Sequence, residues 1–174
     1  MKQFFSLISL VALVGMAVAG LASAATDTVT ATVTVAYASV TLDQASFAYG
    51  SVAVNTASST VNLWGGVGIT GHNGGAESSF ELSSSDSTGW TLSNANNTGN
   101  NYMHKFCNET AGGCTVPADQ ANYDANPMST GYLTLDSSVA YDEDVAFQLQ
   151  VLTPATPTSF VEQSITVTLQ ASAN

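Results

Sequence analysis

Positive charge is almost missing from this chain. Its 174 residues hold two Lys or Arg side chains against thirteen Asp or Glu, a formal net charge of −11. Such a surface repels nucleic-acid phosphates and anionic lipid headgroups, so neither is an expected partner. Charge of either sign is scarce, at 9% of residues, and Ser, Thr, Asn and Gly do most of the solvating. That balance suits a secreted all-β protein better than a cytosolic helical one. Helical periodicity is missing too, since no stretch after the first residues reads as a long amphipathic helix. Catalytic fingerprints are missing as well. There is no Gly-x-Ser-x-Gly elbow, phosphate-binding loop, dinucleotide glycine pattern or His-Glu-x-x-His. The expectation is a protein without a cofactor and without enzymatic activity.

One long apolar run is present, and it lies at the start. MKQFFSLISLVALVGMAVAGLASA places Lys2 before an apolar stretch from Phe4 to about Ala19 and ends in Ala22-Ser23-Ala24. This is the three-part pattern of a secretory signal peptide, residues 1–24, cut after Ala24. A membrane anchor is the alternative, but the run falls short of the roughly 20 residues a spanning helix needs, and Gly15 and Gly20 weaken it. No Cys sits near the cut, which argues against a lipoprotein. Residues 25–174 then form a single domain, long enough to bury a core. That domain keeps Lys105 as its one base. It has no second long apolar stretch, so no membrane insertion of the mature chain is expected. The localisation this implies is secreted and extracellular, in association with the cell surface.

The two cysteines, Cys107 and Cys114, enclose FCNETAGGC. In an oxidising compartment a close, isolated pair reads as a disulfide. A metal site using His104, Cys107 and Cys114 is the alternative, but a fourth ligand is missing.

The rest of the chain alternates with period two, broken by Gly, Asn, Asp and Ser clusters. Expected strands fall at 28–37, 39–43, 46–54, two within 59–73, then 78–84, 89–93, 101–107, 131–141, 144–154 and 164–172. Residues 108–128 lack periodicity and read as a disulfide-tied loop. The sum is an all-β chain, an antiparallel Ig-like β-sandwich. Its core candidates are Phe47, Tyr49, Phe80, Trp90, Phe106, Phe147 and Leu149. Trp90 is expected between the sheets, with its indole N–H on a backbone acceptor.

Residues that bear chemistry are few. Asp142, Glu143 and Asp144 precede a strand and could take part in a calcium site, although such a site needs six to eight oxygens. A solvated acidic turn is the plainer reading. A serine triad built on His72 or His104 is conceivable only because Ser and Asp are abundant. Trp64, His72, Tyr123 and Tyr132 lie in Gly- or Asn-rich stretches. They are candidate surface or ligand contacts, since exposed aromatic rings stack on sugar faces.

Trp90-Thr91-Leu92 in GWTLS forms a Trp-x-Leu tripeptide. It follows LDQASFAYGSVAV and precedes a terminal EQSITVTLQASAN. This order resembles the WxL-type surface domains of Gram-positive bacteria. The resemblance implies a secreted acidic β-sandwich held non-covalently on the cell wall, with Trp90 and Leu92 as its core signature. That family carries a second Trp-x-Leu near its C-terminus, where this chain has Val167-Thr168-Leu169. The layout also resembles pilus-type and biofilm-fibre subunits. The expected partners are therefore a cell-wall polymer, other surface proteins or the chain itself. In the self-assembling version, residues 26–40 serve as an exchanged strand, because they alternate and carry one acid and no other charge. A carbohydrate-binding module using Trp64 is the third expectation.

Overall fold

The computed structural model describes residues 32–33, 36–63, 65–66 and 68–174. The expected signal peptide, Trp64 and most of the proposed exchanged strand lie outside the described residues. The chain divides into two units, residues 1–34 and 35–174, and every element below belongs to the second. In chain order these are β1 (Val40–Leu42), β2 (Ala57–Ser59), α1 (Thr60–Leu63), β3 (Ile69–Asn73), β4 (Ser78–Ser84), β5 (Thr91–Leu92), β6 (Asn101–Asn108), α2 (Gln120–Asp124), β7 (Leu133–Val139), β8 (Asp144–Leu152) and β9 (Val167–Ala173). Among the described residues strands dominate and the two helices are single turns, as an all-β chain requires. No helix among the described residues is long and apolar enough to cross a membrane.

The strands form two sheets. One runs β1-β3-β8-β6-β5, with β2 also paired to β8, and the other runs β7-β4-β9. Pairing is antiparallel except between β5 and β6, where Thr91 faces Asn101 and Leu92 faces Tyr102 in parallel. The uniformly antiparallel expectation is corrected there.

Period-two burial explains the strands. On β4, Phe80 and Leu82 are fully buried while Glu81 between them is not. On β8, Val145, Phe147, Leu149 and Val151 enter the core at every second residue. Gln148 and Gln150 between them are buried as well, so β8 is covered on both faces. Its outer cover is polar but bonded. The Thr60 hydroxyl donates to Gln148 Oε1 at 2.6 Å, and Gln120 and Gln150 exchange amide hydrogen bonds of 2.9 Å. Lys105 Nζ meets Asp124 Oδ1 at 2.6 Å. Satisfying these groups offsets the cost of taking them out of water.

Cys107 and Cys114 are bonded, with their sulfurs 1.99 Å apart. They pack with buried Tyr123 and half-buried Val61 and Val116 into a second small core. Closing this short loop contributes on the order of 2–3 kcal/mol by the chain-entropy argument. The expected structureless loop at 108–128 contains α2. The bond also corrects the metal alternative, because an oxidised pair offers no thiolate ligands.

Two further expectations change. The first expected strand of the 59–73 stretch is β2 running into α1, and the helix stops at Gly65 and Gly66. These take φ of 64° and 91°, a region that favours glycine. Residues 46–54 form no strand. Phe47 and Tyr49 still point inward and pack on the core, but this stretch joins no ladder.

Candidate functional site

The inward face of β6 presents Tyr102, His104 and Phe106, all buried. His104 Nε2 lies 2.9 Å from the Tyr49 hydroxyl, and its Nδ1 lies 2.9 Å from the Ser84 hydroxyl. Burial pulls its pKa down to about 3, so the ring is neutral, with one nitrogen donating and the other accepting. Burial likewise raises the Tyr49 hydroxyl well above its ordinary value. A serine beside an imidazole resembles a nucleophile and its base. A general base, however, works best with a pKa near the operating pH, and this imidazole has lost that basicity. The third partner, moreover, is a phenol and not a carboxylate.

Trp90 lies just before β5, half-buried and outside both core clusters. The interlayer position expected for it is corrected. Its indole N–H does find a backbone acceptor, the Ser159 carbonyl at 3.1 Å. Its ring sits 6.2 Å from that of Tyr102. Leu92 is half-buried, with its amide donating to Asp86 Oδ1 at 2.7 Å. Trp90 therefore fastens the β8–β9 connection to β5.

There are two hollows, and the first opens between the sheets. One, of about 410 Å³, is lined by Ile69, Leu82, His104, Phe147, Leu149 and Leu169, among others. The other, of about 540 Å³, is lined by Trp90, Val151, Phe160 and Val161, among others. They share Ala48, Tyr49, Glu162, Gln163 and Ile165 and so adjoin, and the pair is called the trough below. Its walls are the two strandless connections, residues 44–54 and 157–166.

The remaining candidates are dispersed. His72 on β3 is partly exposed, with Nδ1 2.7 Å from Asp144 Oδ1 and Nε2 3.6 Å from Asp142 Oδ1. Glu143 Oε2 accepts from the Ala140 amide at 2.8 Å. Among the described residues no three His, Cys, Asp or Glu side chains converge as a metal site would require. Tyr132 is exposed just before β7. Tyr123 is fully buried and its hydroxyl donates to the Cys114 carbonyl at 3.0 Å, which corrects its expected surface role. Sequence reasoning passed over Asn73, at the end of β3. Its Nδ2 donates to the carbonyls of Ala76, Val139 and Ala140 at 2.8–3.0 Å, and its Oδ1 accepts from the Gly75 amide at 3.0 Å. The only written hint was an Asn followed by two glycines.

Compared with known proteins, the chain matches no family model, no curated protein and no solved structure.

Proposed function

We propose that this chain is a secreted, non-catalytic structural domain of the cell surface. It is read as an Ig-like β-sandwich that works by contact with a wall polymer, with other surface proteins or with copies of itself. The observation that carries the reading is the use made of His104. The imidazole beside the trough is bonded at both nitrogens and has been stripped of its basicity by burial. It holds Tyr49 and Ser84 together and does not take up a proton near neutral pH. The leader-like first residues, the disulfide and the acidic surface suit an oxidising exterior. The Trp-x-Leu resemblance adds the wall as a partner, and the Trp90 bond to Ser159 gives that tryptophan a fastening role.

Co-sedimentation of the mature chain with purified peptidoglycan tests the wall arm. Binding that saturates and survives moderate salt is expected. A chain left wholly in the supernatant removes the wall polymer as a partner. Self-association is favoured by a separate observation. Val33 is 90% exposed, and among the described residues β9 has a strand neighbour on one side only. A carbohydrate site shared by Trp64, His72, Tyr123 and Tyr132 loses ground because Tyr123 is buried.

A further inference from the structure

The trough is shaped to take an extended chain. Among the described residues β9 pairs with β4 alone, and Val167 and Leu169 bring it to the wall of the trough. Beneath it lie Phe147, Leu149 and Val151 of β8, spaced every second residue and therefore about 6.6 Å apart, each already at most 3% exposed. Among the described residues, no backbone hydrogen bond joins residues 48–52 to residues 157–165. Apolar side chains stand open along the rim. Leu42, Val54, Phe160 and Val161 are all exposed, Phe160 to 80%. An unpaired strand edge beside exposed apolar side chains is a template for strand addition.

The sequence holds a segment of matching pattern. Residues 26–35 read TDTVTATVTV. In an extended conformation Val29, Ala31, Val33 and Val35 share one face at the same two-residue spacing, and Thr28, Thr30, Thr32 and Thr34 share the other. Ten extended residues span about 33 Å, longer than the stretch of β8 beneath the trough. The run from Thr28 to Val35 has no charge, so it is the part of an acidic chain least repelled by a second acidic chain. Val33 is 90% exposed.

We infer that residues 26–35 of one copy add as a strand to the free edge of β9 in a second copy. Val29, Ala31, Val33 and Val35 then cover the exposed apolar rim, Phe160 and Val161 among it. The contact is heterologous, with donor and acceptor on different surfaces, so it propagates into open chains of molecules. This inference rests on the self-association arm of the proposed function.

Complementation between two variants of the mature chain, residues 25–174, tests it by sedimentation velocity. Val33→Asp spoils the donor, and Phe160→Asp with Val161→Asp spoils the acceptor. All three positions are exposed, and an unfolding curve for each variant is the check that it folds. The wild-type chain is expected to grow in mass with concentration, and more so with salt, which screens acidic repulsion. Each variant alone should stay monomeric, with association weakened about tenfold or more. Mixed, they should form dimers and stop, because one chain keeps the acceptor and the other keeps the donor. Three results would each overturn the inference: a wild-type chain that stays monomeric at every concentration and salt, variants that assemble as the wild type does, or a mixture that stays monomeric. A monomer that still binds peptidoglycan would sink strand exchange and leave the surface reading standing.

Discussion

Acidification from pH 6.5 to 4.5 should cost the fold about 2 kcal/mol through His104 alone. The ring is 1% exposed and its pKa is held near 3 by burial, whereas in the unfolded chain it titrates near 6.5. The native state prefers the neutral ring. The contribution is therefore fully present above the unfolded pKa and is lost as pH falls from about 6.5 towards 3. In that window the unfolded chain binds the extra proton, at about 1.4 kcal/mol per pH unit. Asp124 adds a smaller loss of the same sign at lower pH. Its hydrogen bonds from Lys105 and Gln120 depress its pKa, but it is largely exposed. Relief of repulsion among thirteen acids works the other way, so the His104 part has to be isolated. His104→Gln keeps a donor and an acceptor and removes the titration. Urea unfolding of both proteins at the two pH values should show the wild type losing about 2 kcal/mol more than the variant. Parallel losses would mean that His104 reaches solvent.

Asn73→Ala should destabilise the protein by about 2–4 kcal/mol. The side chain is fully buried and makes four hydrogen bonds to backbone groups. Its own main chain adds two more, taking the Asp142 amide and giving to the Glu143 carbonyl, both at 2.9 Å. It thus ties the end of β3 to the turn after β3 and to the β7–β8 turn. Removing it orphans several backbone groups at once, each costing roughly 1–3 kcal/mol where water does not reach. Asn73→Asp keeps the acceptor for Gly75 and loses the donors, so it should also be destabilised at neutral pH. Denaturant midpoints for both variants check this. A change in Asn73→Ala below about 1 kcal/mol would contradict the bracing role.

Alternation in the sequence locates buried faces, and it locates ladders only where a partner strand exists. At 78–84 both conditions hold, and β4 has the expected bounds. At 46–54 the alternation is equally clear, and Phe47 and Tyr49 do turn inward. They cover the core without joining a sheet, and no residue in the stretch reveals that difference. Trp90 misled for a related reason. A large apolar ring can bury half its surface at the margin of a core as well as inside it, and only the Ser159 carbonyl decides which. The buried glutamines of β8 were equally illegible. Period two marks Val145 to Val151, but the residues between them are buried by α1 and α2, which come from stretches distant in sequence. The disulfide was the easiest feature to read, since two cysteines in an oxidising compartment leave one pairing. The trough could not be read at all. It arises where two connections fail to close over the core.

The claim on which the self-association arm depends is that the free edge of β9 is filled by another chain. Amide hydrogen exchange on the mature protein, followed from dilute to concentrated solution, reports this edge directly. The account predicts that amides within residues 162–169 slow as concentration rises, while those of β4 stay unchanged, and that Val33→Asp abolishes the slowing. Exchange at this edge that is indifferent to concentration in the wild-type chain would contradict it.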